Sequence, residues 1–152
     1  MKRIDHLEFA RLCAEAESAK ANGWIDVGLN RFERALSLWR GGAFDGLDVP
    51  AFAPHAAALE ERRDRAIEDY FELSIGIGRG SATIPHLLLH VGAHPLRERA
   101  VAPLMTALYR EGRTHDDHAV YARLVDRLRS ELSVEPGVEI RRTFDAMLAG
   151  AI

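Results

Sequence analysis

The sequence predicts an all-α chain, a tetratricopeptide-like stack of antiparallel helix pairs with about seven helices. Three observations carry this. Apolar residues recur at helical spacing along nearly the whole chain, and no segment sustains the alternation of a strand. Glycines punctuate successive helical stretches. Two of those glycines, Gly78 and Gly112, stand 34 residues apart, the period of a tetratricopeptide helix pair.

The elements follow in order. Asp5 to Asn22 reads as a helix, with Leu7, Phe9, Leu12, Cys13, Ala16 and Ala19 as its apolar stripe and Asn22-Gly23 as its stop. Asp26 is placed to cap a second helix running to Arg40, with Val27, Phe32, Ala35, Leu36 and Trp39 facing inward. Gly41 to Pro54 reads as an ordered connecting loop anchored by Phe44, Leu47 and Phe52. A long helix from Pro54 to Ile75 carries the charged run Glu60 to Arg65 on its outer face.

Gly76 to Gly80 (GIGRG) is a turn. It has no preceding strand and no following GK[ST], so it is not a phosphate loop. Ser81 to Val91 reads as a helix with Ile84, Leu87, Leu88 and Val91 inward, and Pro85 is tolerated near its start. Pro95 to Arg113 holds the next, with Val101, Leu104 and Leu108 as its buried stripe. Pro103 removes one hydrogen bond there and should bend it. Thr114 to Leu132 and Val138 to Leu148 complete the set, separated by Pro136-Gly137.

The turn glycines also mark a repeat. Five residues after Gly23, Gly78 and Gly112 come Gly28, Thr83 and Asp117, nine after come Phe32, Leu87 and Tyr121, and twelve after come Ala35, His90 and Leu124. Thr83 and Asp117 stand where a small apolar residue is preferred. Gly23 and Gly78 are 55 apart, so an insertion of about 21 residues beyond one period separates the first two units. A helix pair cannot bury its apolar face alone, so stacked pairs form one continuous core and leave a curved surface. Residues 1–152 are expected to form a single helical domain.

Composition narrows the function. A hydrophobic share of 47% with 28% charge suits a soluble domain. A net charge of -3 provides no global basic field for DNA or an anionic membrane. The single cysteine, Cys13, excludes an intramolecular disulfide and fits a reducing cytoplasm. No apolar run reaches a membrane span, and Met1 to Phe9 has no signal core.

No G-x-S-x-G, H-E-x-x-H or CxxC occurs, so no enzyme and no cofactor is expected. His86, His90 and His94 follow i, i+4, i+8 spacing, but Gly92 intervenes and no Cys or carboxylate has matching spacing. Packed or solvent-facing histidines are expected rather than a metal site. His115 to His118 (HDDH) sits at a helix start, where Asp belongs for capping. Cys13 reads as a buried thiol, and Trp24 and Trp39 read as core or loop anchors. The remaining candidate is the inner face of the stack. Alignment on Gly112 places Arg99, Ala102, Thr106, Tyr109 and Arg110 there; alignment on Gly78 places Arg65, Glu68, Glu72 and Ile75 there. Tyr and Arg are frequent anchors for a partner segment, and guanidinium groups can hold a carboxylate or phosphate bidentately. The competing reading pairs these arginines with Glu68, Glu72 or Glu98 as a solvated surface.

Four stretches carry a resemblance. They are FERALSLWRGGAF (Phe32 to Phe44), LEERRDRAIEDYFEL (Leu59 to Leu73), HPLRERAVAPLMTALYREGR (His94 to Arg113) and VYARLVDRLRSELSVEPGVEIRR (Val120 to Arg142). Together they resemble the bacterial transcriptional activator domain, the helical part of the Streptomyces antibiotic regulatory proteins and related actinobacterial regulators, over about Ile4 to Leu148. The resemblance implies a regulatory protein-protein role: a homodimer, or contact with a regulator or RNA polymerase. In that family a winged-helix DNA-binding domain precedes the helical part. This sequence shows none, so the expectation is an excised domain or a free-standing member, with no direct DNA binding by this chain alone. The alternative is an adaptor for a non-transcriptional partner such as a biosynthetic enzyme.

Overall fold

The computed structural model describes the backbone of residues 2–40 and 49–151, and side chains within 6–39 and 57–151. These residues form seven α-helices: α1 (Lys2–Ala21), α2 (Ile25–Arg40), α3 (Val49–Gly76), α4 (Gly80–Ala93), α5 (Glu98–Arg110), α6 (Thr114–Arg127) and α7 (Val138–Leu148). One π-helical turn, Leu128–Leu132, continues α6. No strand occurs among the described residues. The chain packs as two compact units, Met1–Leu73 and Ser74–Ile152.

Three helix-to-helix reversals share one backbone design. Gly23, Gly78 and Gly112 have φ of +76°, +87° and +76°, a conformation that L side chains rarely adopt. After each glycine, the next residue's N–H reaches back five positions: Trp24 to Ala19, Arg79 to Ser74 and Arg113 to Leu108, at 2.8, 2.9 and 2.9 Å. Each glycine N–H reaches back three positions, to Lys20, Ile75 and Tyr109. These are Schellman caps, which satisfy carbonyls that a helix end leaves unpaired. A Cβ at any of the three glycines would meet nothing within 4 Å, so the requirement is φ and not space.

In the first unit, α1 contributes Phe9, Leu12, Cys13 and Ala16 to the core. Leu29, Phe32 and Ala35 of α2 meet them, with Leu59, Ala66 and Leu73 of α3. Gly28 is small for a reason: a Cβ there would lie 3.1 Å from Leu73 Cδ1 and 3.7 Å from the Ala16 carbonyl. Two expected core residues lie outside. Leu7 and Val27 are exposed. Each stands two residues before a buried position, Phe9 and Leu29, and two residues turn a helix about 200°. The expected loop Gly41 to Pro54 divides at Val49. Residues 41–48, with Phe44 and Leu47, lie outside the described residues, while Val49 to Pro54 already belong to α3. Pro50, in the first turn of α3, needs no N–H there.

In the second unit, α4 and α6 flank α5, and α7 packs on α5. Val101 and Met105 meet Leu124, Leu128, Ile140 and Met147. Tyr121 stacks on Phe144, with centroids 4.1 Å apart. α5 runs unbroken through Pro103, which is buried. Leu88, expected inward, is exposed because it lies about 100° round α4 from Leu87. Leu132 is exposed too, at the end of the π turn. The segments around Glu98 and Gly137 are joined directly. The Gly137 N–H, at the start of α7, donates to Glu98 Oε1 at 2.7 Å. A Cβ on Gly137 would stand 2.8 Å from Glu98 Oε2, the far end of a flexible side chain, so a larger residue there would push that carboxylate aside.

At the position five residues past the turn glycine, Thr83 is buried and donates its hydroxyl to the Gly80 carbonyl at 2.7 Å. Asp117 is fully buried, and neither carboxylate oxygen has a hydrogen bond. Its nearest charge partner is His118 Nε2, 3.4 Å from Oδ1. Burial raises the Asp117 pKa above the ordinary carboxylate value, against a smaller pull downward from His118.

Two measurements follow. Gly112→Ala should lower stability by about 1 kcal/mol, seen as about 3 °C in Tm, through strain in the left-handed region. Gly76→Ala, at an uncrowded helix end without positive φ, should leave Tm unchanged or slightly raised. Asp117→Ala should stabilise the chain by about 1 kcal/mol at neutral pH, where the wild type buries an unbonded carboxylate. The folded pKa is raised, so the wild type gains stability as pH falls through it. The gain from Asp117→Ala should therefore shrink in thermal melts toward acid pH.

Candidate functional site

The residues expected on a partner-binding face are placed as follows. On α5, Arg99, Ala102, Thr106, Tyr109 and Arg110 share one side, at spacings of three, four, three and one. Arg99 and Arg110 are exposed; Ala102, Thr106 and Tyr109 are half-buried. Thr106 donates its hydroxyl to the Ala102 carbonyl at 3.2 Å, which turns that oxygen inward along the helix. Tyr109 packs its ring against the second unit's core. Arg110 Nη1 donates to the Ile75 carbonyl at 3.2 Å, at the end of α3, where helix carbonyls lack intrahelical donors. α5 is therefore two-sided. Ala100, Val101, Leu104, Met105 and Leu108 are buried, and the arginines lie at the two ends of the opposite side.

On α3, Arg65 and Glu72 are exposed, and Glu68 is not: its side chain has no solvent exposure. Glu68 therefore does not present its carboxylate to a partner, and Ile75 is buried as well. Their neighbours on the helix explain this. Leu59, Ala66 and Leu73 form one buried stripe and Phe71 and Ile75 a second; Glu68 lies on the second, about 60° round the helix from Phe71 and 20° from Ile75. Glu72 accepts a hydrogen bond from Lys20 Nζ at 2.6 Å, and Asp69 accepts another at 2.8 Å. Burial alone would lower the Lys20 pKa; the bonds to Asp69 and Glu72 outweigh it and hold the ammonium above its ordinary value. Lys20, on another helix, is thus one cation partner of Glu72.

The other candidates are placed as follows. His86 is exposed and His90 buried. The rings of His90 and His94 lie side by side, centroids 4.8 Å apart. The His94 N–H caps α4 through the His90 and Val91 carbonyls. In the HDDH run, Asp116 accepts from Arg113 Nε at 2.8 Å, and His118 sets its ring edge-on to Phe144 at 5.2 Å. Cys13 is buried, and desolvation pushes its thiol up to about 11, against a smaller opposing bond from Arg62. Trp39 sits edge-on to Phe9 at 5.8 Å with the Arg63 guanidinium 4.9 Å over its ring; Trp24 is exposed in the first turn. Sequence reasoning passed over α4 itself. Its sequence contains no Asp, Glu, Lys or Arg, a signal readable from the residues alone.

Comparison with known proteins agrees with this architecture. The family described as Bacterial transcriptional activator domain matches residues 4–148. The regulatory protein DnrI of Streptomyces peucetius is 35% identical over 147 residues, covering 95% of this chain and 53% of DnrI. The transcriptional regulator RedD of Streptomyces coelicolor is 40% identical over 118 residues, covering 77% of this chain and 34% of RedD. A solved structure of Mycobacterium tuberculosis EmbR, in complex with a low affinity phosphopeptide, superposes with a TM-score of 0.89 at 30% identity. That match covers 97% of this chain and 39% of the EmbR chain. The chain thus spans about half the length of DnrI and about a third of RedD. Among the described residues, no helix is long and apolar enough to cross a membrane. The chain belongs to the bacterial transcriptional activator domain family.

Proposed function

We propose that the chain is a non-enzymatic, cytoplasmic interaction domain in transcriptional regulation. It acts as one domain over residues 1–152, by self-association or by holding a segment of a regulator or of RNA polymerase. One observation carries the reading: a family of transcriptional regulators matches residues 4–148, nearly the whole chain. The α5 side bearing Arg99, Thr106, Tyr109 and Arg110 suits a partner segment with carboxylates, since exposed guanidinium groups bind them with paired N–H donors. Arg65 and Glu72 on α3 are proposed as further contacts of the first unit. Tyr109 contributes a ring whose inner edge is already held by the core, so little freedom is lost on binding.

The test is capture of partners from native cell extract by the wild-type chain and by Arg99→Glu. The wild type should recover RNA polymerase or a DNA-bound regulator. Arg99→Glu should reduce that recovery about tenfold, a loss of about 1.4 kcal/mol, with Tm changed by no more than about 2 °C because the side chain is exposed. Recovery of metabolic enzymes alone would instead favour an adaptor role and defeat the transcriptional one.

A further inference from the structure

α4 ends on two histidines, His90 in its last turn and His94 at its C-cap. A spacing of four sets both imidazoles on one side of the helix end, the spacing by which two histidines on a helix share a metal ion. The planes of the two rings are inclined at 50°. One ring nitrogen of each comes within 4.8 Å of one of the other. The backbone holds the pair together. The His94 N–H donates to the His90 carbonyl at 3.0 Å and to the Val91 carbonyl at 3.1 Å. His94 leaves the helix there, with φ of -134° and ψ of 63°. The two side chains differ in freedom. His90 is buried, so packing fixes its rotamer. His94 is half-buried, and its ring turns about a broad torsion. One donor is thus preorganised and the other adapts to it.

We propose that His90 and His94 form a two-imidazole site for a divalent late first-row cation, Zn²⁺, Ni²⁺ or Cu²⁺. One nitrogen of each side chain coordinates the ion, and water completes its shell. Imidazole is a donor that suits these three ions. Metal–nitrogen bonds of about 2.0–2.1 Å set two nitrogens on a tetrahedral ion about 3.4 Å apart. The two nitrogens therefore need to close by at most about 1.4 Å, which a turn of the His94 ring supplies. The helix end favours a cation. Its last carbonyls give it partial negative charge, and α4 carries no Lys or Arg to repel the ion. Two other pairs have comparable spacing. His86 stands four residues before His90 and is exposed; His115 and His118 stand three apart, and the His118 ring is set edge-on to Phe144. An ion on His90 and His94 ties the last turn of α4 to the segment leading into α5, so its binding stabilises that reversal. The site goes beyond the partner-binding role and does not depend on it.

The experiment is calorimetric titration of the full chain, prepared without a histidine tag, with Zn²⁺ and with Cu²⁺ in separate runs. The wild type should bind one ion per chain before any weaker sites fill, and saturating Zn²⁺ should raise its Tm. His94→Gln should weaken binding at least about tenfold, because the remaining imidazole has no chelating partner. His86→Gln and His115→Gln should bind as the wild type does. A second readout needs no variant, so it holds even where His94→Gln disturbs folding. Substoichiometric Cu²⁺ should broaden the imidazole proton resonances of His90 and His94 before those of the chain's other histidines. A wild type that binds neither ion at concentrations up to about 1 mM overturns the proposal. Unchanged affinity in a folded His94→Gln overturns it, as does a tenfold loss in His86→Gln or His115→Gln. Broadening that begins at His86, His115 or His118 overturns it also, because the ion then sits elsewhere.

Discussion

A helix can reverse only if its last carbonyls find donors, and in this chain three reversals meet that demand in the same way. Gly23, Gly78 and Gly112 enter the left-handed region, and the two N–H groups of each turn bond back into the helix just completed. At Gly23 and Gly112 the next helix packs back on the one just completed. The turn also fixes which residues come inward: Phe32 and Leu87 nine positions after the glycine, and Ala35 and Leu124 twelve after, are buried. The left-handed glycine thus acts at a distance, by setting the phase of the helix that follows. Position five is the tightest. Gly28 meets Leu73 and the Ala16 backbone there, and the same place in the last repeat holds a buried carboxylate.

These features were legible because they are local. A glycine turn and a stripe of period 3.6 need no knowledge of the rest of the fold. The apolar stripe of α1 from Phe9 to Ala19 reads directly from the residues, and Leu7 was misplaced only because two residues separate it from Phe9. The start of α3 was hidden by Pro50, which signals a loop until it falls inside the first turn of a helix. The contact between Glu98 and Gly137 joins residues 39 positions apart, so no periodicity reports it. The two segments that carry it, HPLRER and EPG, both belong to the stretches that carry the family resemblance. The ties from Lys20 to Asp69 and Glu72 belong to the same class. Side-chain partners between helices are chosen by tertiary approach.

The two helices with the clearest outward faces divide the chemistry. α5 buries seven apolar residues and leaves guanidinium groups at both ends of its other side. α4 offers leucine, proline and small residues with no charge at all. A charged side discriminates partners by complementarity and depends on ionic strength. An uncharged side is indifferent to salt and sensitive to shape. One small domain thus presents two sides that answer to different conditions.

The single cysteine gives the molecule an internal clock. Cys13 is buried against α2 and α3, and its thiol titrates near 11, so at neutral pH it is neither accessible nor a thiolate. A thiol reagent can reach it only when the first unit opens. The rate of its alkylation therefore measures the frequency of that opening, residue by residue in time rather than in temperature, with no other sulfhydryl in the chain to confuse the signal.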